Sequence, residues 1–209
     1  MVLNQHPPRS ANNSRRSVLL TTLALLGLAL TCGHASADGP YRGRVIDAET
    51  KEPLVGAVVL IYWNRHAPGI GHGPLESFLG AEETLTDDRG AFVVARNPPQ
   101  TWIPGTWRST PYMTIFLPGY AYFPRYYKTD PPSPGRFAGL LKIMEDREVT
   151  FELPRLKTRE ERLKATDTVN PLVVPPDLMP HFVHLLNEEL KQLNLPPVYR
   201  KNFDWRNRK

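Results

Sequence analysis

From Tyr41 to Leu153 the apolar residues come in short runs separated by Gly, Pro, Asp and Asn, a pattern of strands and turns rather than long helices. Tyr41–Asp47 alternates, with Tyr41, Gly43 and Val45 set against Arg42 and Arg44, which predicts a half-buried strand. Ala48–Pro53 reads as a turn. Leu54–Trp63 is apolar almost without interruption and rich in β-branched residues, which predicts a strand covered on both faces. HAPGIGHGPLESF, residues 66–78, places Gly and Pro too close together for regular structure and is expected to be a loop. Glu83–Thr86 and Ala91–Ala95 flank Asp87-Asp88-Arg89-Gly90 and form a hairpin signal, and Arg96–Thr110 reads as irregular. Tyr112–Leu117 and Tyr120–Tyr127 read as strands joined at Pro118-Gly119. Asp130–Arg136 is a Pro-rich loop, and Glu148–Leu153 alternates as a last strand.

After Pro154 the period changes. Thr158–Ala165 is charged and helical in pattern, and Asn170–Pro176 is an extended linker. Asp177–Leu195 is predicted as a helix, with Asp177 at the N-cap and Pro196 ending it. Phe182, Leu185, Leu186, Leu190 and Leu193 share one arc, so this helix must pack on the strand region or on a second protein.

The first residues are set apart from this architecture. Arg9, Arg15 and Arg16 precede an apolar run, Val18–Leu30, too short for a membrane span, which needs about 20 residues. Ala35-Ser36-Ala37 then fits signal-peptidase cleavage between Ala37 and Asp38. Residues 1–37 are therefore expected to be a signal peptide, and the mature chain to be exported to the periplasm or cell envelope without a transmembrane span. Ser14-Arg15-Arg16-Ser17 resembles a twin-arginine signal, but paired arginines are common in basic leaders and the general secretory route is expected. Thr31-Cys32 departs from a lipobox at Thr31, so a lipid anchor on Cys32 is not expected. Cys32 is the chain's single cysteine, so cleavage leaves no disulfide framework.

Loss of Arg9, Arg15 and Arg16 with the leader lowers the net charge from +5 to +2, and the tail VYRKNFDWRNRK alone carries five basic residues against one acidic. The body is near neutral, and a nucleic-acid-binding surface is not expected.

With these elements in order, GRVIDAETKEPLVGAVV, TLTDDRGAFVV and TIFLPGYAYF together resemble a carboxypeptidase regulatory-like domain. The matching residues are Gly43, Val45, Asp47, Pro53, Leu54, Gly56, Ala57 and Val58, then Thr86, Asp87, Gly90 and Phe92, then Pro118, Gly119 and Tyr120. The resemblance covers about Tyr41–Leu153. It implies a mainly β fold, a prealbumin-like (transthyretin-like) β-sandwich of about seven strands over residues 38–154, followed by a helical extension and basic tail over 155–209. Val45, Val58, Ile61, Phe92, Ile115 and Phe151 are its expected core. The family's sandwich is as a rule non-catalytic.

No complete catalytic constellation is present. A zinc carboxypeptidase needs His-x-x-Glu, and His72 to Glu76 is one residue too long. Pro53–Val58 followed by Tyr62-Trp63-Asn64 is also similar to intradiol ring-cleavage dioxygenases, which hold ferric iron with two Tyr and two His. That resemblance implies phenolates from among Tyr120, Tyr122, Tyr126 and Tyr127 and imidazoles from His66 and His72, but the His-x-His pair of those enzymes is absent. His181, His184 and Glu188 fall on one side of the last helix at spacings that suit a divalent ion as well as a solvated face. No cofactor is expected. Trp63, Trp102, Trp107 and the Tyr-rich run 112–127 are either buried beneath loops or placed to stack on sugars or peptides. The expected function is thus a non-catalytic, exported binding or assembly module of the cell envelope, with an envelope protein or a glycan as partner. The alternative is a metal-dependent enzyme related to the dioxygenases.

Overall fold

The computed structural model describes residues 40–69, 71, 73–94, 103–125, 128–130, 132, 137–169, 171 and 173–198. The fold is mainly β, in two sheets, with one helix before the last strand and two after it among the described residues. One sheet runs β4 (Ala91–Val94), β1 (Tyr41–Asp47), β8 (Val149–Leu153), β7 (Lys128–Asp130). β1 pairs antiparallel with β4 and parallel with β8, so the first and last of the described strands lie side by side at the sheet centre. In the second sheet β2 (Val58–Ala67) pairs on one edge with β3 (Leu75–Leu85). Its other edge is lined in succession by β6 (Tyr112–Phe116) and β5 (Trp107–Arg108).

The two faces of β2 explain its unbroken apolar run. Val59, Ile61 and Trp63 join Val45, Phe92, Val94, Ile115 and Phe151 in the core shared by both sheets. Val58 and Leu60 face the other way, into a second buried cluster with Phe116, Tyr122, Phe182, Leu186 and Leu190. Val58 therefore belongs to the outer cluster rather than to the intersheet core. Full burial of side chains of this size stabilises by about 1.5–3 kcal/mol each.

Three α-helices lie among the described residues. α1 (Phe137–Asp146), absent from the sequence reading, buries Leu140, Leu141 and Met144 in the intersheet core. α2 (Arg159–Thr166) starts with a capping box. The Thr158 hydroxyl accepts from Glu161 N at 3.2 Å, and the Glu161 carboxylate accepts from Thr158 N at 3.0 Å. α3 (Pro180–Gln192) follows a 3-10 turn, Pro176–Leu178. Its Phe182, Leu186 and Leu190 pack on the outer face of the β2 sheet, and Phe182 meets Phe116 at 5.7 Å between ring centroids.

Several boundaries differ from expectation. β2 ends at Ala67 rather than Trp63 and β3 begins at Leu75, so both ends of the expected loop 66–78 are paired strand. Tyr120–Phe123 makes isolated bridges, Tyr120 to Arg155 and Phe123 to Ile115, instead of a strand. Asp177 lies inside the 3-10 turn, and Met179 occupies the N-cap of α3. Among the described residues there are eight strands, of which β5 and β7 are very short. Among the described residues no helix is long and apolar enough to cross a membrane.

Candidate functional site

The motif residues from Asp47 to Tyr120 are engaged in holding turns. Asp47 Oδ1 accepts from the amides of Glu49 (2.7 Å) and Thr50 (3.1 Å), and its Oδ2 accepts from the Tyr120 hydroxyl at 3.0 Å. Burial pushes the Asp47 carboxyl upward, but those amides and the hydroxyl outweigh it and hold its pKa below the ordinary value. Burial and the bond to Asp47 push the Tyr120 phenol up. Thr86 Oγ1 accepts from Ala57 N at 2.8 Å and donates to Leu54 O at 2.6 Å, closing the turn before β2. Asp87 Oδ1 accepts from Arg89 N and Ala91 N, and Gly90 turns there with φ 71°. A side chain at Gly90 would run into the carbonyl of Val45. Asp47 and Thr86 are buried and their side-chain oxygens are engaged within these turns.

The metal candidates are placed apart. His181 and His184 are exposed and Glu188 is half-buried on α3; among the described residues no three His, Cys, Asp or Glu side chains form a metal-holding group. Tyr122 lies in the cluster beneath α3, Tyr120 is tied to Asp47, and His66 stacks on Trp107. His72, Trp102, Tyr126 and Tyr127, and the expected cleavage site at Ala37 and Asp38 with Cys32, lie outside the described residues. Trp63 is buried in the intersheet core.

One cluster has a different character. Tyr62, Asn64 and His66 recur at the strand period on β2, on the face that α3 covers further along at Val58 and Leu60. Across the edges of β2, Tyr62 pairs with Tyr112, and His66 pairs with Trp107 on one side and Glu76 on the other. The rings are stacked, Tyr62 on Tyr112 at 5.0 Å and His66 on Trp107 at 5.8 Å between centroids. Glu76 Oε1 accepts from Asn64 Nδ2 at 2.6 Å and from the Tyr112 hydroxyl at 3.3 Å, and lies 4.0 Å from His66 Nε2. A β-bulge in the β2–β3 register between Trp63 and Asn64 adds one residue to β3 just before these pairs.

Burial grades across the cluster. Asn64 is 4% exposed, and its Oδ1 is buried without a hydrogen-bond partner. Above it Trp107 is 50% and Tyr112 40% exposed. Burial, then the charge of Glu76 and the bond to it, push the Tyr112 phenol up; burial, Tyr112 and Glu76 do the same for Tyr62. Both hydroxyls therefore remain proton donors at neutral pH. In the sequence Trp107, His66 and Tyr112 stand out separately, Tyr62 and Asn64 only within the dioxygenase-like stretch, and Glu76 only as the partner of His72 at the wrong spacing. The signal that joins them is the alternation Tyr62, Asn64, His66 beyond the last wholly apolar residue. No family model, curated protein or solved structure matches the chain.

Proposed function

We propose that this protein is a non-catalytic, exported binding module of the cell envelope, built on a carboxypeptidase regulatory-like scaffold of prealbumin type, with the Tyr62–Trp107 end of the β2 sheet as its contact surface. The observation that carries this reading is the contrast between two groups of side chains. Asp47 and Thr86 are buried and consumed by turns, whereas Glu76, Tyr112 and Trp107 stand on paired strands with surface to spare. Ligand contacts favour groups held by such a scaffold. Export rests on the basic, apolar and small-residue sequence of residues 1–37.

The test is made in a bacterium expressing the full chain. Osmotic-shock fractionation with N-terminal sequencing is expected to recover a chain starting at Asp38. A photo-crosslinking residue at Trp107 is expected to yield envelope adducts, and the same residue at exposed Val93 on β4 is not. An uncleaved cytoplasmic chain, or adducts formed equally from both positions, would overturn the proposal.

A further inference from the structure

The chemistry of the Tyr62–Trp107 cluster goes further than a generic contact surface. We propose that it is a binding site for a neutral saccharide, with Trp107 and Tyr112 stacking on pyranose rings and Glu76 accepting sugar hydroxyls. This inference rests on the reading of that end of the β2 sheet as the contact surface.

Three features lead to a sugar. The first is flat apolar surface already held in place. Trp107 and Tyr112 are partly exposed, and each ring is braced by a stacked partner across the strand edge, so little side-chain freedom is lost on binding. A pyranose presents a face of C–H groups that fits such a ring. The second is an oriented acceptor across β2 from the rings. Every bond the Glu76 carboxylate makes among the described residues falls on Oε1, and its side chain is 42% exposed, so Oε2 is open to hydroxyl donors. The third is Asn64, which is buried beneath and spends its amide N–H on Glu76 while its Oδ1 goes without a donor. An unsatisfied buried acceptor weakens a fold. Here that disadvantage accompanies a carboxylate held in one orientation.

The same features argue against other ligands. A protein docked on this surface would bury an ionised carboxylate with an oxygen unpaired at the interface centre, where charged residues are depleted. A quaternary ammonium needs rings around it, but these rings are stacked on one another in parallel pairs. Anionic sugars would meet the Glu76 charge.

The test uses the protein as processed by the cell. Cellohexaose, maltohexaose and chitohexaose serve as neutral probes and an oligoguluronate as the anionic one, followed by calorimetry and tryptophan fluorescence. At least one neutral hexaose is expected to bind and the uronate is not. Trp107→Ala and Glu76→Gln should each weaken binding about tenfold with an unchanged thermal midpoint. Absence of binding by all three neutral sugars, or binding untouched by both substitutions, would overturn the saccharide assignment. Crosslinking from position 107 separates the two readings. Adducts specific to that position without sugar binding remove the saccharide alone, and loss of both removes the contact surface as well.

Discussion

Arg162 and Glu189 join the helices to the sheets, and their removal gives an ordered set of stabilities. Glu189 is 2% exposed on the packed face of α3. The Arg162 guanidinium on α2 donates to both carboxylate oxygens at 2.6 Å, and Gly119 N, in the turn after β6, donates to Glu189 Oε2 at 3.0 Å. The bond to Glu189 raises the Arg162 pKa against the opposing effect of burial. Arg162→Leu leaves a buried carboxylate with one amide donor. Breaking a buried pair in this way costs about 3–5 kcal/mol, and the partial exposure of Arg162 favours the lower end, about 3 kcal/mol. For a chain of this size that lowers Tm by about 6–12 °C. Glu189→Leu is milder because Arg162 can turn toward water, and the double leucine variant should regain at least half of the loss. Urea unfolding of the four proteins, each followed by fluorescence and circular dichroism, measures the cycle. A double variant as unstable as the sum of the singles would refute the account, as would an Arg162→Leu loss below about 1 kcal/mol.

Three further outcomes follow from the geometry. Asp47→Asn should lower the urea midpoint at pH 7. Because the folded pKa of Asp47 is depressed, the stability it contributes is present above the unfolded value of about 3.9 and is lost as pH falls through the folded value, so the gap should close in acid; a gap constant down to pH 2 refutes this. Gly90→Ala should destabilise by about 2 kcal/mol or more, since it combines a left-handed φ with a collision at the Val45 carbonyl, and a neutral result in thermal melts would contradict that geometry. Elemental analysis of protein purified without chelator or His tag should find no stoichiometric iron or zinc. Iron lost on His66→Ala would support the dioxygenase-like alternative, and zinc lost on His181→Ala would mark α3.

What was legible in the chain was local. The Asp87–Gly90 turn, the helix that starts at Thr158 and the two-sided burial of Val58–Trp63 all arise from residues close in sequence, but the strands on either side of that turn lie in different sheets, β3 beside β2 and β4 beside β1, so the expected hairpin does not form. The errors share a long-range cause. Gly and Pro at 68–74 suggested that strand structure stopped at Trp63, but backbone pairing carries β2 and β3 on to Ala67 and Leu75. Asp177 has the right chemistry for an N-cap, yet α3 begins at Pro180 and is capped from the sheet. The Glu83 carboxylate, on β3, accepts from His181 N at 2.6 Å and Phe182 N at 3.0 Å. No helix-start rule reaches a partner that distant in sequence.

That remote cap links the fold to the site. Glu83 sits opposite Leu60, and its hold on the first turn of α3 is favourable both as hydrogen bonding and as a negative charge at a helix N-terminus. At the other end Glu189 ties α3 to Gly119. Pinned at both places, the helix covers the outer face of β2 at Val58 and Leu60 and leaves Trp107 and Tyr112 partly open. Glu83→Ala should therefore cost about 1–2 kcal/mol and raise amide exchange first in the opening turn of α3. The ring pairs are held by β2, β5 and β6 and not by the helix, so the fluorescence of Trp107 and its stacking on His66 should persist. If uncapping α3 disturbs Trp107 as strongly as the first helical turn, helix and platform form one cooperative unit, and the separation of scaffold from binding surface fails.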